Sequence, residues 1–164
     1  MGDNACYKMG ARDQMGYNYE ILEVLPKLIE VGFGEYIVYH NPVDYFKWAH
    51  TRTVGVDMEM QVGDCRLCIE MSYCSKNYYY RRAWFTKCRL TRFRNCPKPD
   101  SHTYWILLTN RPENFNPVKE IAEQFSICIV GIDELMELII NLKSNNNLTT
   151  VVTNQLAVVN YQVK

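Results

Sequence analysis

Two runs of alternating apolar and polar residues, one on either side of a Gly-Asp pair, constrain this fold more than any other feature. The first run covers residues 56–62 and the second covers residues 65–72. A period of two predicts β-strands, and a Gly-Asp pair between them predicts a hairpin with a two-residue loop. If Gly63 and Asp64 form that loop, one face of the hairpin is wholly apolar, and a slip of one residue would mix the two faces. The pattern therefore predicts both the hairpin and its register.

The other face of the predicted hairpin brings two carboxylates together. Counting outward from the loop places Glu59 opposite Cys68, and the next pair on that face is Asp57 opposite Glu70. Neighbouring carboxylates repel each other, and a raised pKa, a basic neighbour or a bound cation can relieve the repulsion. Magnesium suits such a site because it accepts one or two carboxylates and keeps several waters. The alternatives are that both carboxylates face solvent, or that Arg66 pairs with one of them.

The segments on either side of the hairpin predict an α/β domain. Apolar residues recur at helical spacing between residues 14 and 30, where Pro26 is expected to kink or split the helix. A strand is predicted over residues 35–39. After the hairpin, the predicted elements are a helix over 78–93, a strand over 104–109, a helix over 117–124, a strand over 126–130 and a helix over 134–143. This order implies a parallel βαβ unit added to the hairpin sheet.

Length and composition predict one folded domain. The chain has 164 residues, of which 48% are hydrophobic and 22% are charged, which is sufficient for a real core. We expect the domain to cover residues 1–143, with residues 144–164 as a C-terminal extension that contains one or two strands. No apolar run approaches the roughly 20 residues of a membrane span, and the first residues do not resemble a secretory signal. We therefore expect an intracellular, cytoplasmic protein without a membrane partner.

The seven cysteines are an odd number, so at least one must stay free or pair outside the chain. Cys65 and Cys68 are spaced as in a C-x-x-C zinc motif, but positions three apart on a strand point to opposite faces. We therefore do not expect this pair to bind one zinc ion, and most of the cysteines are expected to be small buried apolar residues. An intracellular disulfide, as hyperthermophile proteins contain, is the alternative.

The basic residues are concentrated between residues 76 and 98, where eight of the 18 Lys and Arg residues occur without one acidic residue. The stripe of the predicted helix that is expected to face the core consists of Tyr79, Ala83, Thr86, Leu90 and Phe93. The remaining surface is basic and interleaved with Trp84 and Phe85, which favours phosphate binding. Solvated arginines or a dimer interface are the alternatives. The predicted nucleic-acid contacts are Arg81, Arg82, Lys87, Arg89, Arg92 and, before the hairpin, Arg52.

Asp57, twelve intervening residues and then Glu70-Met71-Ser72 resemble the motif of the PD-(D/E)xK, or restriction-endonuclease-like, nucleases. The pattern is most similar to that of archaeal Holliday junction resolvases and the Mrr-like branch, in which the motif lies on the same kind of hairpin. The segment from Gly16 to Glu20 is similar to the start of the family's opening helix, whose glutamate joins the site. The resemblance covers roughly residues 16–143 and implies a mixed central sheet flanked by helices, in an αβββαβαβ-type order.

The resemblance also implies an activity, a cofactor and partners. It predicts an endonuclease that depends on Mg²⁺ or Mn²⁺, cuts double-stranded or branched DNA such as a junction, and works as a homodimer. Asp57 and Glu70 would hold the cation, with Glu20 assisting. Glu59, on the same face, would be a further ligand or a base that orients water.

The chain departs from the family motif at two positions. Val56 replaces a proline, which is a common and harmless change. Ser72 replaces the lysine, which in the family steadies the attacking water and the developing negative charge, and serine carries no charge for that role. Lys76 or Lys87 could supply the missing charge. If neither does, the alternative is a catalytically inactive module of the same fold that binds DNA or a protein, and a purely structural assembly protein is the third possibility.

Overall fold

The computed structural model describes residues 15–16, 18–30, 37–39, 55–77 and 79–145. Within these residues the chain forms a mixed sheet of five strands, in which the spatial order follows the chain order. The strands are β1 (Ile37–Tyr39), β2 (Met58–Val62), β3 (Cys65–Ser72), β4 (Thr103–Thr109) and β5 (Ile127–Val130). The pairs β1–β2 and β2–β3 are antiparallel, and the pairs β3–β4 and β4–β5 are parallel. The mixed α/β architecture is the one that the sequence predicts.

Helices and shorter helical turns connect these strands. They are a π-helical turn (Tyr19–Val24), α1 (Leu25–Glu30), α2 (Arg82–Cys88), a 3₁₀ turn (Leu90–Asn95), a second 3₁₀ stretch (Pro112–Val118), α3 (Lys119–Gln124) and α4 (Ile132–Asn145). The expected effect of Pro26 is visible where the π-helical turn meets α1. The backbone N–H of Leu25 donates to the carbonyl of Glu20, five residues back, which is a π-type hydrogen bond. Pro26 follows directly and has no N–H to donate, so the series of π-type bonds ends there. Among the described residues, no helix combines the length and apolar character needed to cross a membrane.

The β2–β3 hairpin has the register that its alternation predicts. Val62 pairs with Cys65 across the turn, and Met58 pairs with Ile69 four residues further along the hairpin. Gly63 has a φ of 61°, a left-handed conformation that glycine adopts without a steric penalty. The apolar face of the hairpin is buried against α4 and against the first helical segment, which consists of the π-helical turn and α1. This side of the sheet is therefore an ordinary hydrophobic core.

The opposite face of the hairpin is also covered, although its sequence is largely polar. Phe85 of α2 and Phe93 of the following 3₁₀ turn are fully buried on this side, together with Leu107 of β4. The ring of Phe93 stacks on that of Trp105 with centroids 5.1 Å apart. An aromatic layer therefore lies over the strand face that carries the candidate site.

The predicted helix over 78–93 and its core-facing stripe are both wrong in detail. The α-helix covers only Arg82–Cys88, and the chain then tightens into a 3₁₀ turn, so a single helical period does not run through the segment. Tyr79 is 64% exposed, and Ala83 and Thr86 are exposed as well. Larger aromatic side chains occupy the core positions instead, because they remove more apolar area from water than Ala or Thr. Phe93 alone among the stripe residues is fully buried.

The later elements agree with their predicted positions to within a few residues. The β3–β4 and β4–β5 pairs are parallel with helical crossovers between them, as the βαβ prediction requires. Of the strand predicted over 35–39, the structure describes residues 37–39 as β1. The strands predicted in the C-terminal extension and the predicted DNA contact Arg52 lie outside the described residues. The domain boundary at residue 143 stays a prediction.

Candidate functional site

The structure brings Asp57 and Glu70 together at the end of the hairpin farthest from the turn. Glu70 lies on β3, and Asp57 directly precedes β2. Oδ2 of Asp57 accepts a hydrogen bond of 2.7 Å from the backbone N–H of Met71, which fixes this carboxyl group against β3. The Asp57 and Glu70 carboxyl groups are also within hydrogen-bonding reach of each other. The side-by-side carboxylates predicted from the hairpin register are therefore present.

Glu70 is buried, with only 1% of its side chain exposed. This burial raises the pKa of the Glu70 carboxyl well above its usual value, and the negative charge of Asp57 raises it further, while Arg89 acts in the opposite direction. Oε2 of Glu70 has no hydrogen-bond donor among the described residues. One alternative was that both carboxylates face solvent, and the burial of Glu70 rules this alternative out.

Arg89 is the cation that the described structure places against this carboxyl group. Its Nη1 lies 2.7 Å from Oε1 of Glu70, and its Nη2 donates to Oγ of Ser72 over 3.1 Å. The guanidinium carbon is 5.2 Å from the ring centroid of Trp84, a cation–π distance. The guanidinium thus spans the two β3 residues that correspond to the glutamate and the lysine of the nuclease motif.

Arg92 adds a second guanidinium on the same side. Its Nε lies 3.8 Å from Oε1 of Glu70. The side chains of Arg89 and Arg92 are 21% and 19% exposed, respectively, so both are mostly covered by protein. Two carboxyl groups and two guanidinium groups therefore lie together on this face, and of these the Glu70 carboxyl is buried.

The basic segment is divided in two by this arrangement. Arg89 and Arg92, which were predicted to contact nucleic acid, point into the molecule at Glu70. The other predicted contacts of α2 and its start, namely Arg81, Arg82 and Lys87, are exposed. The solvent-facing part of the segment is therefore smaller than its charge count suggests.

The two lysines that could supply a charge in place of the motif lysine are both exposed. Lys76 is exposed in the loop after β3, where its backbone carbonyl accepts a 2.9 Å hydrogen bond from Nδ2 of Asn114. Lys87 is exposed on α2. Ser72 is buried and bonded to Arg89. Among the described residues, the positive charge next to Ser72 comes from an arginine.

Glu59 faces a different set of partners from the Asp57–Glu70 pair. Its Oε2 forms a 2.8 Å ion pair with Nη2 of Arg66, and its Oε1 lies 3.8 Å from Sγ of Cys96. Pairing of Arg66 with one of the two motif carboxylates was an alternative, and among the described residues the ion pair of Arg66 is with Glu59, one step closer to the turn. The predicted role of Glu59 as a further ligand or a base at the Asp57–Glu70 pair stays a prediction.

Glu20 lies on the π-helical turn and is half-buried. The neighbouring Tyr19 packs its ring 5.7 Å from that of Tyr73, which directly follows β3. The first helical segment is thus close to the carboxyl end of the strand that carries Glu70. The predicted role of Glu20 as an assisting carboxylate stays a prediction.

Two features of this face were not predicted, and the first is the inward orientation of Arg89. A local signal for it exists, since Phe85, Arg89 and Phe93 are spaced by four residues and would share one helical face. The second feature is a contact between Cys68 and Cys96. The hydrogen bond between their sulfurs raises the pKa of Cys68, which burial raises as well, and lowers the pKa of Cys96. No spacing rule connects two cysteines 28 residues apart.

The expectation for the C-x-x-C pair is confirmed. Cys65 belongs to the core on one side of the sheet, and Cys68 belongs to the aromatic layer on the other. The two sulfurs therefore cannot close on one ion. The six cysteines among the described residues form no disulfide, and three of them are buried, namely Cys65, Cys68 and Cys74.

Comparison of the chain with protein-family models, with curated proteins and with solved structures gives no match. The resemblance to the PD-(D/E)xK nucleases consequently consists of the motif residues, their spacing and the order of the elements around them.

Proposed function

We propose that the chain is a Mg²⁺-dependent endonuclease of the PD-(D/E)xK type that acts on DNA. The observation that carries this proposal is the group formed by Asp57, Glu70 and Arg89, in which two adjoining carboxyl groups meet a guanidinium that also reaches Ser72. Hydrolysis of a phosphodiester needs oxygen ligands for a divalent cation and a positive charge for the developing negative charge. This group contains both.

The order of the elements supports the proposal. A helical segment, an antiparallel arrangement of β1, β2 and β3, a helix and two further parallel strands follow one another along the chain. This is the order expected of a restriction-endonuclease-like core, with the carboxyl pair on the β2–β3 hairpin. The restriction-endonuclease-like fold is accordingly part of the proposal.

The residues of the pair fit a magnesium ion. Carboxylate oxygens are the protein ligands that Mg²⁺ prefers, and Oε2 of Glu70 is a buried oxygen without a donor among the described residues. Arg89 uses the other oxygen, Oε1, so it does not have to leave for a cation to be held at Oε2. When bound there by Asp57 and Glu70, the ion would lower the pKa of a water molecule and stabilise the charge on the phosphate.

Arg89 would replace the motif lysine as a source of positive charge. Its guanidinium stays protonated in proteins, so it can stabilise a negatively charged phosphate oxygen but cannot accept a proton. The Trp84 ring and the hydrogen bond to Ser72 hold it in place. Under this proposal, Ser72 does no chemistry itself and orients the arginine.

DNA is the substrate that the surrounding charge favours. Arg81, Arg82 and Lys87 are exposed at the start of α2 or on it, the same helix that leads to Arg89. Such residues would contact phosphates without reading the sequence. Branched DNA and a homodimer with two sites follow from the family resemblance and belong to the proposal in the same way.

The second candidate function is an inactive module of the same fold that binds DNA or a protein. The burial of Glu70 favours it, since a carboxyl group that is 1% exposed and faces two guanidiniums is already neutralised. In this alternative Arg89 is a permanent counter-ion, and the pair never binds metal.

A cleavage assay separates the two functions. Labelled four-way junctions and linear duplexes are incubated with the full chain and Mg²⁺, Mn²⁺ or a chelator. The nuclease proposal expects metal-dependent cleavage that Asp57→Asn abolishes and Asp64→Asn, a control at the turn of the same hairpin, leaves intact. Salt-sensitive DNA binding without cleavage would favour the inactive module, and cleavage that is equal in wild type and Asp57→Asn would place the active site elsewhere.

A further inference from the structure

Glu59, Cys68 and Cys96 form a second cluster of potential metal ligands next to the carboxyl pair. The two sulfurs and one carboxylate oxygen all lie within 4.8 Å of one another. Glu59 and Cys68 are cross-strand partners on β2 and β3, and Cys96 directly follows the 3₁₀ turn. The two strands of the hairpin and the segment after the 3₁₀ turn therefore present ligand atoms to one point, two residues along β3 from Glu70.

We propose that this cluster binds Zn²⁺ with a water molecule as the fourth ligand. Thiolate sulfur selects zinc over magnesium, and three protein ligands with one open position are a common arrangement for zinc. With Zn–S bonds of about 2.3 Å, two sulfurs in a tetrahedral site lie about 3.8 Å apart. The ligand atoms of the cluster need only small movements to reach such a geometry.

The charges around the cluster balance when the ion is bound. Two thiolates and one carboxylate carry three negative charges, and Zn²⁺ together with the Arg66 guanidinium carries three positive charges. Arg66 holds Oε2 of Glu59 at 2.8 Å, while Oε1 is the oxygen that lies 3.8 Å from Sγ of Cys96. The carboxylate is therefore already oriented by a neighbour, as metal-binding carboxylates commonly are.

The sulfur atoms are held in place as well. Cys68 is fully buried in the aromatic layer. The backbone N–H of Val56 lies against Sγ of Cys96. Trp105, the β4 partner of Cys68, donates from Nε1 to the carbonyl of Pro97 over 2.8 Å and so fixes the chain immediately after Cys96. These contacts preorganise the cluster before any ion binds.

A zinc ion at this position would fasten the arginine-bearing segment to the hairpin. Cys96 is the residue after the 3₁₀ turn that carries Arg92, and Arg89 directly precedes that turn. The ion would thus hold both guanidiniums over Glu70 by tying the end of their segment to β2 and β3. This tethering would not depend on the proposed nuclease activity.

A second group of ligands, at the hairpin turn, has to be distinguished in any experiment. Asp64, Cys65 and His102 also have ligand atoms within 4.8 Å of one another. The side chain of His102 is 63% exposed, and the group contains one sulfur. The proposed site has two sulfurs, and one of them belongs to the fully buried Cys68. The number of thiolates bound to the metal therefore tells the two groups apart.

The test is a titration of the reduced, metal-free full chain with Co²⁺, a spectroscopic substitute for Zn²⁺. The proposal expects a sulfur-to-cobalt charge-transfer band with the intensity of two thiolates, which Zn²⁺ abolishes by displacement. Cys96→Ser and Glu59→Gln should each weaken Co²⁺ binding by more than tenfold, and Cys96→Ser should also halve or remove the band. Arg66→Ala should weaken Zn²⁺ binding by about 10–100-fold, the typical effect of losing a partner of a ligand.

Cys65→Ser and Cys128→Ser are the matched controls, because they remove a sulfur outside the cluster and should leave the band unchanged. Circular dichroism is used to check that each variant is folded, and Glu59→Gln tests the site without touching a core sulfur. The proposal is overturned if the wild type shows no thiolate band, if the band keeps its full intensity in Cys96→Ser, or if Cys65→Ser removes it. Since the readout is metal binding, a failure here leaves the cleavage assay unaffected, and the reverse also holds.

Discussion

The two faces of the β2–β3 hairpin are both buried, but they are stabilised in different ways. On one face, methionines and aliphatic side chains pack against the first helical segment and α4, and burial itself is favourable. On the other face, an aromatic layer covers Glu70, Ser72 and Cys68, so polar groups have lost water and need partners within the protein. Any apolar side chain of suitable size can fill the first face. The second face requires a particular partner for each group, and Arg89 is that partner for Glu70.

The largest stability effect is expected on the apolar face. Leu67 is fully buried there, and Leu67→Ala should lower the free energy of unfolding by about 2–5 kcal/mol through lost burial and a residual cavity. Urea denaturation measures the change. A loss below about 1 kcal/mol would mean that this face collapses around the gap and is less tightly packed than its burial indicates.

An effect within the lower half of that range is expected on the polar face. Arg89→Ala leaves Glu70 buried without its closest counter-ion, and breaking a buried pair costs about 3–5 kcal/mol. We expect about 3 kcal/mol, because Arg89 keeps 21% exposure and Arg92 remains 3.8 Å from Glu70.

Lys87→Ala is the control for Arg89→Ala, since it removes an exposed cation of the same helix and should change stability by no more than about 0.5 kcal/mol. Equal effects of the two substitutions would contradict the difference between the faces.

The raised pKa of Glu70 predicts a pH dependence that the apolar face cannot show. A carboxyl group whose pKa is higher in the folded state contributes stability that is complete below its unfolded pKa, near 4.3, and is lost as pH rises through the folded value. Glu70→Gln removes this titration, so the stability of the variant should fall less than that of the wild type as pH rises above about 4.3. Thermal denaturation across this pH range measures the difference.

The exposed Glu123→Gln serves as the control for Glu70→Gln and should retain the wild-type pH profile. A Glu70→Gln profile that parallels the wild type would show that Glu70 has an ordinary pKa.

The smallest stability effect is expected outside both faces, at the exposed basic residues. Arg82→Ala combined with Lys87→Ala should leave the free energy of unfolding within about 0.5 kcal/mol of wild type. If these residues contact DNA, the salt dependence of DNA binding should flatten by about one unit per lost phosphate contact, for all sequences alike. An unchanged slope would assign this surface to solvent or to a protein partner.

Local periodicity was sufficient for the strands and insufficient for the helix that covers them. The alternation of β2 and β3 allowed one register, because a slip would have exposed the apolar set, and the structure has that register. The segment over 78–93 allowed several helical faces, and the stripe through Tyr79 and Ala83 was the wrong one. The bulk of Phe85 and the change to a 3₁₀ turn after Arg89 determined which face was buried.

The sequence by itself therefore determined the hairpin, its turn at Gly63, the adjacency of Asp57 and Glu70, and the parallel strands that follow. These features depend on contacts between neighbouring strands, and a repeating pattern specifies such contacts. Only the tertiary structure decided that Arg89 reaches Glu70 and Ser72, that Arg66 belongs to Glu59, and that Cys96 meets Cys68. These contacts join a strand to a helix, a turn or a second strand through single side chains. Which side chains become partners depends on which charged or polar groups are buried together. Such pairing produces no periodic pattern in the sequence.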